Sequence, residues 1–248
     1  MDKIFNKFHP YDIMSYLIPG IFTITYIYLG FYFLNFSINL FDNNFLTNSV
    51  VFFIVCYYSG LIIHEIGYLI EKYELKKIFK DTYSNNILRK NSSILKEEDR
   101  VKCWNILKDH FNIPINLRLN TAQLIDKKIC NYGQICYERC RESLKYTYRA
   151  TGTLNQSEIF NIHYGMSRDI LATSLIAIMY FGFITIYNIV QTMKFPILPF
   201  ILIFVMYVCS KFLYNRTKRF AKHHVSNTIT LYLSTCNNSN SPSFTIQS

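Results

Sequence analysis

Four long stretches of this chain carry strongly apolar side chains and no charge, which makes a lipid bilayer the solvent that best accommodates it. The stretches cover residues 13–36, 49–63, 170–190 and 195–210. A bilayer core about 30 Å thick needs roughly 20 helical residues to cross it. The first and third stretches meet that length outright. The second meets it by continuing through His64 and Glu65 to Ile70, and the fourth needs part of its flanks. Burying four such runs inside a soluble protein of 248 residues is hard, because a domain of that size keeps much of its surface in water.

Loop charge sets the orientation. Residues 35–48 carry Asp42 and no Lys or Arg, whereas residues 71–166 carry 17 Lys/Arg against 11 Asp/Glu. Residues 211–224 hold five basic side chains and no acidic one. Cytoplasmic flanks are the ones enriched in Lys and Arg, so both ends and the long loop are expected in the cytoplasm. That arrangement requires an even number of spans, which four satisfies. Lys194, in the short turn between the third and fourth spans, is the exception on the outside.

The expected fold is therefore an all-α integral membrane protein. Four transmembrane helices form two pairs, with a helical cytosolic domain inserted between spans two and three. The expected divisions are residues 1–70 for the first pair, 71–166 for the cytosolic domain, 167–214 for the second pair, and 215–248 for a basic tail with a disordered end. Lys3 and Lys7 ahead of an apolar run imitate a signal peptide. The run is too long for one, however, and residues 35–41 lack a small-residue cleavage pattern, so a retained span is expected.

Within residues 71–166 the pattern predicts helices. One extends the second span to Thr82 and breaks at Ser84 to Asn86. A second covers 94–110, capped by Ser92 or Ser93, with Leu95, Val101, Trp104, Ile106 and Leu107 as its apolar side. A third runs from a cap at Thr121 to about Arg149, with Leu124, Ile125, Ile129, Ile135 and Leu144 available for burial. After a break at 151–153, a fourth runs directly into the third span. Of seven cysteines, Cys56 and Cys209 lie in spans and Cys103, Cys130, Cys136 and Cys140 in the loop. A reducing cytosol argues against disulfides, and the absence of a C-x-x-C pair argues against structural zinc. No cofactor fingerprint is present, and neither a cofactor, a metal nor a catalytic residue is expected.

Several residues are functional candidates. His64 and Glu65 lie about one turn from the cytosolic end of the second span, where ionisable groups either mark a functional path or simply end the apolar run at the headgroups. They do not form a zinc-protease motif, because Tyr68 stands where H-E-x-x-H needs its second His. Pro19 and Gly20 mark a helix kink inside the first span, with Ser15, Thr23 and Thr25 at hand to re-satisfy the backbone. Tyr11, Tyr16, Tyr164, Tyr207 and Tyr214 fit an aromatic belt. Arg139, Arg141, Lys145 and Arg149 recur at helical steps and are candidates for binding an anionic ligand, with Tyr137, Tyr146 and Tyr148 placed to stack on a base. The same stripe reads equally as a solvated face or a subunit contact. Lys211, Arg216, Lys218, Arg219 and Lys222 suit anionic inner-leaflet lipids, at about 1 kcal/mol per charge. Arg168 and Asp169 look like a local ion pair.

Together, the entry at residues 11–20 (YDIMSYLIPG), Ser167-Arg168-Asp169 at the start of the third span, and the Arg216 to Lys222 exit give a layout that resembles a known group. It is similar to the small four-span membrane effectors of bacterial anti-phage defence, including those paired with nucleotidyltransferases in CBASS-like operons. The resemblance implies a homo-oligomer in the bacterial inner membrane whose cytosolic part senses a nucleotide messenger or a partner protein and whose spans disrupt the membrane. A pore opened from the cytosolic side is the first expectation. A non-catalytic anchor docking a partner, and a lipid-acting enzyme using His64 and Glu65, are the alternatives. Duplex DNA is not an expected partner.

Overall fold

The computed structural model describes residues 13–34, 45–73, 80–90, 92–113, 122–151, 156–193 and 195–238. Every regular element among them is helical. A π-helical turn, Ile13–Leu17, leads into α1 (Ile18–Phe33), followed by α2 (Phe45–Tyr73), α3 (Lys80–Asn86) and α4 (Glu97–Asn105). A second π-helical turn, Ile106–His110, ends α4, and α5 (Ala122–Thr151), α6 (Gln156–Thr192) and α7 (Ile197–Asn238) follow. Among the described residues, four helical stretches are long and apolar enough to cross a membrane: Ile13–Phe33, Ser49–Tyr73, Gln156–Thr192 and Ile197–Cys236. The protein is thus membrane-embedded and multi-pass. By their contacts the residues fall into two units, Met1–Lys76 with Ile162–Lys218, and Lys77–Asn161 with Arg219–Ser248.

The first unit turns apolar side chains outward. Val50, Phe53, Tyr58, Ile62, Phe183, Val190, Phe204 and Phe212 are all exposed, an arrangement that acyl chains solvate and water does not. Its apolar centre is Phe181, which is fully buried and packs edge-on against Tyr26 and Phe33 at ring-centroid distances of 6.2 and 6.1 Å. Leu202, Ile203 and Met206 of α7 pack against the same centre. Where α1 enters the unit, the backbone of α2 is very close. A Cβ on Gly20 would lie 1.8 Å from the Cys56 carbonyl oxygen, and one on Gly60 would lie 1.7 Å from that of Tyr16. Small residues allow such an approach where no hydrophobic effect drives helices together.

The Pro19-Gly20 pair therefore has two separate roles. Pro19 stands where the π-helical turn passes directly into α1, and its missing N–H leaves one helical hydrogen bond unmade there. The Thr23 hydroxyl donates to the Pro19 carbonyl at 2.9 Å, and Thr25 donates to that of Ile21 at 2.8 Å. Gly20 provides the close approach to α2. Ser15 is fully buried and its hydroxyl has no partner among the described residues.

The second unit is packed as a water-soluble domain is. Ile87, Leu95, Leu107, Cys136, Tyr137, Cys140 and Leu144 form its core with Val225, Ile229, Tyr232 and Leu233. Each fully buried aliphatic side chain here contributes about 1.5–3 kcal/mol relative to exposure. Two corrections to the helix expectations follow from this core. Ser84 to Asn86 do not break a helix but complete α3, and the turn begins at Ile87. Ser84 is buried and its carbonyl faces Gly133 of α5, where a Cβ would come within 2.8 Å, so packing overrides weak local propensity. Likewise α4 starts at Glu97 rather than 94. Lys96 is its extended N-cap residue and makes no side-chain cap, while Glu97, Glu98 and Asp99 place negative charge in the first turn, where the helix dipole favours it. Ser92 instead accepts the Ile94 N–H at 3.4 Å in the preceding bend. Val101, expected on the apolar side, is 55% exposed.

The largest correction concerns residues 215–248. The stretch read as a basic tail continues α7 without a break to Asn238, and Ala221, Val225, Ile229, Tyr232 and Leu233 are buried at helical spacing. Five basic residues between 211 and 222 hid a core face that repeats every three to four positions. Of the break expected at 151–153, Thr151 closes α5; residues 152 and 153, Thr121, Tyr11 and residues 239–248 lie outside the described residues.

Candidate functional site

Five polar side chains gather inside the first unit, two from α2 and three from α6. On α2, His64 and Glu71 are seven residues apart and therefore share a face two turns apart, with Gly67 between them. On α6 they meet Tyr164, Arg168 and Asp169. Arg168 is the hub. Its Nε donates to Asp169 Oδ1 at 2.8 Å and its Nη1 donates to Glu71 Oε2 at 3.1 Å. The Tyr164 hydroxyl donates to the other Glu71 oxygen, so both carboxylate oxygens accept. Asp169 is completely buried, and its Oδ2 lies 2.7 Å from His64 Nδ1. A Cβ on Gly67 would approach Asp169 Oδ1 to 2.8 Å, so the glycine leaves room for that carboxylate.

Two groups flank the imidazole: Asp169 Oδ2 lies 2.7 Å from Nδ1, and Arg168 Nη2, which has only hydrogens to offer, lies 3.0 Å from Nδ1 and 3.3 Å from Nε2. The Tyr16 ring packs edge-on against the imidazole at 5.0 Å. Two carboxylates, one guanidinium and one histidine thus tie α2 to α6. Removing charges from water costs several kcal/mol each, and the cost is offset here by near-complete hydrogen bonding.

Relative to the sequence reading, His64 and Glu65 have different surroundings. Glu65 is exposed, whereas His64 turns inward to Asp169. Arg168 and Asp169 do pair locally, and Arg168 extends further to Glu71. Tyr164, expected in an aromatic belt, is buried and serves Glu71, while Tyr207 is exposed with the Lys211 ammonium 5.5 Å from its ring centroid. The signal that reveals the cluster is the His64, Gly67, Glu71 spacing on one span face, read together with Arg168-Asp169 on another.

The basic stripe has a different setting. Arg139, Arg141 and Lys145 are exposed on α5, and Arg139 lies 3.9 Å from Glu142. The pair is more than half exposed and contributes little to stability. Arg149 lies on the same helix. At about 100° per residue the four positions spread over nearly half its circumference rather than forming one line. Tyr137 points away from this surface: it is buried and hydrogen-bonds His224 Nε2 at 2.7 Å, so it cannot stack on a ligand. His224 Nδ1 in turn donates to the Ser157 carbonyl at 2.7 Å, and the Ser157 hydroxyl meets that of Thr228. This chain of buried polar groups joins α5, α6 and α7 inside the second unit.

Among the described residues no group of three or more His, Cys, Asp or Glu side chains is arranged to hold a metal. Cys103, Cys136 and Cys140 are nonetheless buried together. The hydrogen bond with Cys136, together with burial, pushes the Cys103 thiol well above its usual range. For Cys136 the bond with Cys103 pulls downward, but the bond with Cys140 and burial outweigh it and the thiol is also pushed up. Thiols held protonated and buried are inert. Iodoacetamide at neutral pH is expected to label Cys130 and Cys236 at least about tenfold faster than Cys103 and Cys136, with peptide mass spectrometry as the readout. Comparable rates would show that this core opens readily. No protein-family model, curated protein or solved structure matches this chain.

Proposed function

We propose that this protein is a membrane effector of a bacterial defence system, assembling into a homo-oligomeric pore that a nucleotide messenger or partner protein opens from the cytosolic side. The observation that carries this reading is the continuity of α6 and α7. Each is long and apolar enough to span a membrane, and each runs on without interruption to supply core or buried polar residues to the second unit. A ligand that favours one packing of the second unit acts on the same two helices whose other halves lie in the first. Four spans are too few to enclose a water path comfortably, so the pore reading requires several copies. The resemblance of layout to anti-phage effectors supports the setting, and the excess of Lys and Arg outside the spans supports cytoplasmic ends.

On this reading, exposed Arg141 and Lys145 on α5 receive an anionic trigger. Cells expressing the chain beside its genomic neighbours are expected to depolarise and admit an impermeant dye only when a neighbour is active. Arg141→Glu with Lys145→Glu is expected to abolish that response while leaving membrane insertion intact. An unchanged potential with the unaltered protein inserted and its neighbours active would exclude the pore and favour a subunit that docks a partner.

A further inference from the structure

Two charged side chains stand on the outward faces of the first unit, one on α2 and one on α7. Val55, Tyr58, Ile62 and Leu69 are exposed along α2 at helical steps, and exposed Glu65 completes their alternation of three and four. On α7, Ile197, Phe200, Phe204 and Tyr207 repeat the same steps, and exposed Lys211 follows them. Such steps keep each set on one stripe, the spacing by which a helix packs lengthwise against another. The Lys211 ammonium lies 5.5 Å from the Tyr207 ring centroid. Neither Glu65 nor Lys211 has an ion-pair partner among the described residues. Acyl chains solvate the apolar members of both stripes but not a carboxylate, and ionisable groups within spans ordinarily face protein or water.

We propose that the α2 stripe of one copy of this chain packs against the α7 stripe of the next, pairing Glu65 with Lys211 of the neighbouring copy. As second and fourth spans, α2 and α7 cross the membrane in the same direction, so the two stripes run parallel in such a contact. From the span starts at Ser49 and Ile197, Glu65 lies about 24 Å along its helix and Lys211 about 21 Å, at about 1.5 Å per residue. The two long side chains close a difference of about 3 Å. One heptad nearer each start, Tyr58 meets Phe204. The charges choose the occupant. Anionic headgroups would hold Lys211 and repel Glu65, whereas a second copy offers each its opposite. They also choose the symmetry. Two-fold pairing of like stripes would set Glu65 on Glu65 or Lys211 on Lys211. A head-to-tail contact satisfies both and repeats around a ring. This contact rests on the homo-oligomeric reading and adds to it a specific subunit interface.

The test is native mass spectrometry of the full chain in mild detergent. Glu65→Lys alone and Lys211→Glu alone each set like charges across every contact, and each is expected to reduce the oligomeric fraction at least about fivefold. Co-expressing the two single variants restores opposite charges wherever unlike copies meet. Mixed oligomers are then expected to return to at least about half the unaltered level. Pairing within one chain cannot give that rescue between chains. Single variants that assemble as the unaltered protein does, or a mixture that stays dissociated, would overturn this interface and leave the oligomeric reading in place. An unaltered protein that is monomeric in membranes and in detergent would overturn both. If a charge variant does not insert, Tyr58→Cys copies co-expressed with Phe204→Cys copies answer instead. Oxidation by copper phenanthroline in native membranes is expected to join these two positions between chains, as read by peptide mass spectrometry. No such link, or links only between two Tyr58→Cys copies, would overturn the contact.

Discussion

Replacing Arg168 with Met is expected to lower the Tm of the protein in detergent by about 10 °C. The substitution removes the guanidinium that pairs with both Glu71 and Asp169 and leaves these two buried carboxylates without it. Removing one partner of a buried ion pair costs about 3–5 kcal/mol, because the other charge is stranded. At about 2–4 °C per kcal/mol for a chain of this size, the loss stands well clear of measurement error. Arg168→Lys is expected to fall between the two, since an ammonium cannot reproduce the fork that serves Asp169 through Nε and Glu71 through Nη1 at once. The informative comparison is the triple variant Glu71→Gln, Arg168→Met, Asp169→Asn. It carries no stranded charge and is expected to recover most of the loss. A single variant within about 2 °C of the unaltered protein would mean the cluster is solvated and ties nothing together.

Parts of this cluster were legible before any coordinates. An Arg-Asp dipeptide at the mouth of a span and a His within a span are both rare enough to stand out. What pairwise reading could not reveal was the partner of each, because the partners lie about 100 residues away on another helix. Adjacency in sequence suggested His64 with Glu65, yet neighbours on a helix point about 100° apart and here face opposite environments. The four spans were legible because apolar length is a one-dimensional property. The second unit was less so. Its core relies on Cys136, Cys140, Tyr137 and the far end of α7; spacing gave the cysteines no role, offered Tyr137 for base stacking and made the far end of α7 a charged tail. A face that repeats every three or four residues survives any amount of intervening Lys and Arg, which is why Val225, Ile229 and Tyr232 are buried within a basic stretch.

The second large effect is predicted where nothing is charged. Gly60→Ala is expected to destabilise the first unit by about 3 kcal/mol or more, although it adds one methyl group. That methyl would lie 1.7 Å from the Tyr16 carbonyl oxygen and 2.5 Å from its carbon, both backbone atoms that no rotamer change can move. The helices would have to part by roughly 1.5 Å to restore normal separation, and dispersion along their contact would be lost with the distance. Gly20→Ala collides with the Cys56 carbonyl on the same seam and is expected to cost a similar amount. Because either methyl alone separates the helices, the double variant is expected to cost clearly less than the sum. Gly182→Ala provides the control: no atom lies within 4 Å of its Cβ position, and alanine's better helix propensity is expected to leave Tm unchanged or slightly raised. The same seam carries Tyr16 onto the His64 imidazole, so parting it should also uncover His64. Gly60→Ala is therefore expected to raise the rate at which diethylpyrocarbonate modifies His64, at fixed pH, with the other histidines as internal standards. A loss of Tm without faster modification of His64 would show that the glycine seam and the charged cluster hold α2 independently.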